Sequence, residues 1–171
     1  TADACARAGL EFAALDRSAA ELTTLLPDQA SARNPVDTTA AVDAGTFGRA
    51  VEVVLHDPAV DAVIVPLLRT AVGDPLPGLV EAVTRARAAG CATPVLAVRA
   101  GQQESVTSLA VGEHRIPVFT DASLAARALA DVTTHARWLA RPQGVVPDLA
   151  HVDVPAAREL VDAALTQLPS G

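Results

Sequence analysis

The stretch Val60-Asp61-Ala62-Val63-Ile64-Val65-Pro66-Leu67 decides the fold class. It is a nearly continuous β-branched run, the pattern of a strand buried on both faces, and such strands belong to parallel sheets covered by helices. Residues 46–56 before it read as a helix with Phe47, Ala50, Val51, Val54 and Leu55 on one face, Thr46 as cap and Asp57-Pro58 as stop. Residues 68–75 after it form a long connection bearing Gly, Asp and Pro, and residues 76–89 a helix stopped by Gly90. Pro94-Val95-Leu96-Ala97-Val98 repeats the buried strand, with residues 99–103 as its loop. Residues 104–111 read as one or two helical turns, and Ile116-Pro117-Val118-Phe119 as a third strand. Thr120-Asp121 then caps a helix over 122–141, with Leu124, Ala128, Val132, Ala136 and Leu139 among its apolar positions. Strands and helices alternating in this way predict an open, mostly parallel sheet with right-handed crossovers.

Toward the N-terminus, residues 1–9 look like the second half of a helix closed by Gly9, so the first strand of the fold is expected to lie before Thr1. Residues 10–15 can form a short strand. Ser18-Ala19-Ala20-Glu21 has the spacing of a capping box, leading into Leu22, Leu25 and Leu26 and stopping at Pro27. Ala32-Arg33-Asn34-Pro35-Val36-Asp37-Thr38-Thr39 follows as a short extended run ending in a loop, because proline pushes Asn34 away from the α region. Val36 can bury while Asp37, Thr38 and Thr39 face a crevice. Beyond the long helix, residues 142–153 read as a linker, Pro155 opens a last helix through about residue 165, and Pro169-Ser170-Gly171 trails off. The organisation expected is one α/β domain over 1–141, then a linker and short helix over 142–171.

Length and composition narrow the function. At 171 residues, half of them hydrophobic but few aromatic, the chain suits one core of Ala, Val and Leu. The formal net charge of −7, with no basic cluster, argues against a nucleic-acid surface. Every basic residue is Arg, which removes Lys-based phosphate loops, Schiff bases and nucleophiles. Cys5 and Cys91 read as free buried thiols rather than a disulfide framework. No apolar run approaches a membrane span, and a cytoplasmic location is expected.

The order of pieces resembles a flavodoxin-like (Rossmann-type) domain of the NDP-forming acyl-CoA synthetases, the succinyl-CoA synthetase superfamily. The residues that carry the resemblance are Ala2-Asp3-Ala4-Cys5 with Gly9-Leu10, Asn34-Pro35-Val36-Asp37, and the step from Leu55-His56-Asp57-Pro58 through Ala59-Val60-Asp61-Ala62-Val63. Pro94-Val95-Leu96 and Ile116-Pro117-Val118-Phe119-Thr120 complete it. The resemblance implies a three-layer sandwich and exchange of acyl-CoA, ADP and phosphate with acid, CoA and ATP through a phosphohistidine. It further implies CoA, ADP or ATP, and Mg²⁺ in the full protein, with partner domains that bind CoA, bear the histidine, and form an ATP-grasp module after the linker. No histidine here lies in a matching context, so no catalytic residue and no metal site are expected in this piece. Self-association is left open.

For site residues, the resemblance implies that the loop after Asn34-Pro35-Val36-Asp37 approaches the substrate carboxylate or phosphohistidine. That makes Asn34, Pro35, Asp37, Thr38 and Thr39 the wall of a shared site. The plainer alternative is a turn in which Asp37 satisfies local amides. Arg69 and Arg99 end successive strands, where a guanidinium suits a phosphate or carboxylate; the alternative for Arg69 is a loop pair with Asp74. His56 at a helix C-terminus reads as a cap. Relatives often carry glycines where this chain has Thr38-Thr39-Ala40-Ala41, which suggests a second function, a ligand-sensing regulatory module of a protein lysine acetyltransferase. A bare interaction domain is the third.

Overall fold

A computed structural model of the chain describes residues 1–145 and 152–167. Its elements run α1 (Ala2–Arg7), α2 (Ala19–Leu25), α3 (Ala44–Leu55), β1 (Val63–Pro66), α4 (Leu76–Ala88), β2 (Val95–Val98), β3 (Val106–Val111), β4 (His114–Phe119), α5 (Ala122–Leu139) and α6 (Val154–Gln167). The chain divides into two compact units, Thr1–Leu139 and Ala140–Gly171.

The larger unit is built on one sheet in the order β1-β2-β4-β3. β1 pairs β2 in parallel, from Val63 opposite Val95 to Pro66 opposite Val98, and β2 pairs β4 in parallel at Ala97–Val118 and Val98–Phe119. β3 pairs β4 antiparallel, from Val106–Phe119 to Val111–His114. The short strands are apolar on alternate faces, and each face buries against helices. Val65, Val95, Ala97, Ile116 and Val118 pack with Val51 and Leu55 of α3 and Leu79, Ala82, Val83 and Ala86 of α4. Leu96 and Phe119 pack with Ala125 of α5, while Ala4 and Cys5 of α1 pack with Ala126 of α5 and the half-buried Ile64. The result is a three-layer, flavodoxin-like α/β unit. Leu22, Leu55, Leu79 and Val83 are its largest fully buried side chains, each contributing about 1.5–3 kcal/mol by leaving water. A further cluster places Leu15, Leu22 and Leu26 against Ala50 on α3.

α3 and α4 meet backbone to backbone. A Cβ added to Gly48 would lie 2.6 Å from the Gly78 carbonyl oxygen, and one on Gly78 only 1.9 Å from that of Ala44. Each helix starts at the edge where the parallel strands end, because α3 feeds β1 and β1 feeds α4. The glycine contact therefore brings the first turns of the two helices together at that edge.

Several local expectations change. Residues 104–111 contribute strand β3 instead of helical turns: Gly112, at φ 58°, opens a two-residue turn that folds β3 onto β4. Residues 10–15 pair with no strand among the described residues, although Leu15 is buried. Ser18 precedes α2 but makes no side-chain cap bond; its hydroxyl donates instead to Asp57 Oδ2 at 2.6 Å. Asp43, not Thr46, caps α3, accepting the Thr46 amide at 2.9 Å. The run at 32–36 is not extended but folds back, since Ser31 and Asp37 form an isolated antiparallel bridge and exchange both backbone bonds at 2.9 and 3.0 Å. The Asn34–Pro35 peptide is cis.

In the smaller unit, Asp153 Oδ1 accepts the Ala156 amide at 3.0 Å at the start of α6, which holds Pro155 in its first turn. The linker expected at 142–153 falls partly on 146–151, and the tail at 169–171 and His151 fall wholly, outside the described residues.

Candidate functional site

Where β1, β2 and β4 end, their connections bring Arg69 and Arg99 together. In open α/β sheets this carboxyl edge is where ligands bind. β1 runs out through Leu67, whose amide donates to Val98 O at 2.8 Å, so Arg69 and Arg99 leave the sheet from neighbouring strands. Asp74 joins them. Its Oδ2 accepts from Arg99 Nη2 at 3.1 Å and lies 3.8 Å from Arg69 Nε, while its Oδ1 accepts the Leu76 amide at 3.0 Å in the first turn of α4. The pairing of Arg69 with Asp74 is thus present, with the Arg69 side chain 76% exposed and Arg99 the better held at 39%. Beside them the Gln102 amide donates to Val118 O at 2.9 Å and accepts from Thr107 Oγ1 at 3.1 Å, bracing the β2–β3 connection against β4.

Two more carboxylates close the edge. Asp43 caps α3 through the Thr46 amide and the Thr46 hydroxyl, at 2.9 and 3.1 Å, and Asp121 Oδ1 accepts the Ser123 amide at 2.7 Å at the start of α5. Those bonds from Thr46 and from Ser123, the main chain first in each case, hold both carboxyls below the usual range. The first turns of α3, α4 and α5 therefore each have a first-turn amide engaged by an aspartate of the chain itself. Asp43-x-x-Thr46 is a cap signature visible in the sequence; the convergence of Asp74 on two strands is not.

The loop at 34–39 is organised locally. Asn34 Nδ2 donates to Ala13 O at 3.0 Å and so ties the loop to the segment before α2. Asp37 Oδ1 accepts the Thr39 amide at 2.9 Å, and Thr39, at φ 65°, has its hydroxyl 3.3 Å from the Ala41 amide. Thr38 Oγ1 makes a long contact of 3.5 Å to Thr39 O. Proline at 35 shapes the fold-back, and Val36 packs on the α2–α3 cluster. The loop runs directly into Asp43 and α3, and the Ala44–Gly78 contact puts that start against the α4 start where Asp74 sits. Arg69 and Arg99 are brought together by Asp74; Asn34 to Thr39 enter the edge through α3 instead.

The other titratable groups lie elsewhere. His56 Nδ1 is 2.9 Å from Glu52 O at the end of α3, the opposite edge, so its role is that of a cap. Cys5 and Cys91 are free thiols; burial pushes the Cys5 thiol up, which keeps it protonated and inert. Among the described residues no group of three or more His, Cys, Asp or Glu could hold a metal ion. A shallow depression of about 290 Å³ between α2 and α3 is lined by Glu21, Thr24, Leu25, Thr46 and Arg49, charges of both signs with no built cradle. No helix among the described residues is long and apolar enough to cross a membrane.

Comparison with known proteins gives the following. The ligase-CoA domain family matches residues 1–147. The crystal structure of PH0766 from Pyrococcus horikoshii OT3 is similar, with a TM-score of 0.67 and 26% sequence identity over 82% of this chain. The match covers 33% of that protein, so this chain spans about a third of its length. No curated protein matches.

Proposed function

The chain belongs to the ligase-CoA domain family, and from that premise we propose that it forms one wall of the reaction site of an NDP-forming acyl-CoA synthetase. The full protein would exchange acyl-CoA, ADP and phosphate with acid, CoA and ATP through a phosphohistidine carried on another domain. The observation that supports this most is the carboxyl edge, where two strand-end arginines and the starts of α3 and α4 meet. Guanidinium groups and first-turn amides stabilise carboxylate and phosphoryl charge.

In this reading each residue has a limited task. Arg69 and Arg99 supply positive charge to the anion. Asp37 fixes the turn that presents the Thr38 and Thr39 backbone, and Asn34 and Pro35 hold that turn against Ala13. CoA and nucleotide, with Mg²⁺, would be held by other domains and supply the acyl carrier and the phosphoryl acceptor. The donor set here suits only the transferred anion. Proton transfer and nucleophilic attack are assigned to no described residue, since the described histidines at 56, 114 and 135 stand away from the edge or cap a helix.

The test uses the full-length protein with acetyl-CoA, ADP and phosphate. Formation of ATP, with acid-labile phosphate on a histidine outside this chain's sequence, is expected. No ATP and no labelled histidine would overturn the assignment.

A further inference from the structure

We infer that Asp74 is a tethered stand-in for the anion received at the carboxyl edge, and that an incoming oxyanion must displace it. This deepens the proposal above and shares its premise that the edge receives anions. One carboxylate accepts from Arg99 Nη2 at 3.1 Å and from the Leu76 amide at 3.0 Å, and it lies 3.8 Å from Arg69 Nε, an ion pair too long for a hydrogen bond. Two guanidiniums and a first-turn amide are the donors a free oxyanion would use, and the chain has already filled them.

The surroundings let that carboxylate leave. Asp74 rides on the β1–α4 connection, where Thr70 and Gly73 share a backbone bond of 3.0 Å and the Val72 amide reaches Thr70 Oγ1 at 3.2 Å, both within the loop. Leu68 and Val72 on that loop are 72% and 54% exposed, so its movement uncovers no packed core. The Arg69 pair is long and largely open to water and the Arg99 pair is partly so, and solvent-screened pairs hold weakly. Charge at the seat itself also selects the ligand: Asp43 and Asp121 are engaged by the Thr46 and Ser123 amides of their own helices, and the two arginines joined by Asp74 leave one positive charge uncompensated there. Exchanging Asp74 for a monocarboxylate leaves that excess, whereas a phosphate dianion removes it. The class favoured is therefore a phosphoryl group over a simple acid.

The experiment titrates the chain with inorganic phosphate, and separately with acetate, at low ionic strength. Asp74→Asn keeps a side-chain oxygen that can accept the Leu76 amide while removing the charge. Glu113→Gln in the β3–β4 turn, at the opposite edge, makes the same change of net charge. Asp74→Asn is expected to tighten phosphate at least fivefold, Glu113→Gln less than twofold, and Asp74→Asn/Arg99→Gln should return to the wild-type value. A larger gain for acetate than for phosphate would keep the displacement but reassign the seat to a carboxylate. Equal behaviour of Asp74→Asn and Glu113→Gln, or a gain that survives loss of Arg99, would overturn it. Thermal melts confirm that each variant is folded, and Asp74→Ser, a second uncharged acceptor for the Leu76 amide, must reproduce the Asn result. Failure of ATP formation in the full-length protein alongside a positive Asp74 result would reject the ligase chemistry alone; the reverse would reject the stand-in alone.

Discussion

At the edge where β1 and β2 begin, the chain uses its polar groups on itself. Asp57 is buried and accepts the Ser18 hydroxyl at 2.6 Å and the Ala59 amide at 2.9 Å. Thr93 Oγ1 and Cys91 Sγ both reach Leu55 O, and Arg87 donates to the carbonyls of Cys91 and Thr93. At the edge where the same strands end, Asp74, Arg69 and Arg99 are partly or largely open to water and share one carboxylate between two cations. One edge is sealed and specifies the fold; the other leaves charge within reach of a ligand. Equal numbers of hydrogen bonds can hide this difference, which lies in burial.

The sharpest way to break the contrast is to separate the helices that close the open edge. Gly78→Ala drives a methyl into the Ala44 carbonyl, a backbone atom that cannot turn away, and should cost about 3 kcal/mol. Chemical denaturation would show it, and a loss below about 0.5 kcal/mol would mean that the helices shift apart freely. Next, Asp57→Ala leaves the buried Ser18 hydroxyl and the part-buried Ala59 amide without this acceptor, at roughly 2 kcal/mol or a fall of several degrees in Tm.

The sealed edge should also contribute acid sensitivity, beside that of the Asp43 and Asp121 carboxyls at the open edge. The Ser18 hydrogen bond, with that of the Ala59 amide, lowers the Asp57 carboxyl below its ordinary value. Its folded pKa being depressed, the stabilisation is present above the unfolded value near about 4 and is lost as pH falls through the folded value. Urea midpoints of wild type should therefore drop more steeply below about pH 4 than those of Asp57→Asn; parallel curves would contradict this. Asp37→Ala should leave stability within about 1 kcal/mol while lowering turnover of the full-length protein by roughly fivefold or more, through misplacement of the Thr39 backbone. Loss of folding without loss of turnover in the surviving protein would favour the turn alone. The smallest effect belongs to Asp74→Asn, expected to move stability by less than about 0.5 kcal/mol, because the pair is partly open to water and Asn keeps an acceptor for the Leu76 amide.

The parallel strands were legible because burial on both faces writes an unbroken apolar run, as at Val63 to Val65 and Val95 to Val98. β3 was not, since Val106-Thr107-Ser108-Leu109-Ala110-Val111 buries one face at most and its alternation is faint. The Gly112-Glu113 turn held the missing signal: glycine first in a two-residue loop favours a hairpin. Ser18 misled because its hydroxyl answers Asp57, 39 residues away, and not the helix it precedes. Family residues such as Asn34 and Asp37 were visible as a motif, but their bonds to Ala13 and Thr39 depend on a fold-back that the sequence signals only as a proline. Asp74 read as a neighbour of Arg69; its bond to Arg99 requires knowing that β1 and β2 lie side by side.

The glycine crossing of α3 and α4 has a mechanical meaning. Where side chains separate two helices, rotamer changes absorb small slides; here the backbone of Gly48, Gly78 and Ala44 touches directly and offers no such slack. The pair behaves as a single strut with two loops bolted to one end. Wherever the 37–43 loop is pushed, the 68–75 loop shares its anchorage, so the two halves of the edge keep a common ruler for the distance between them.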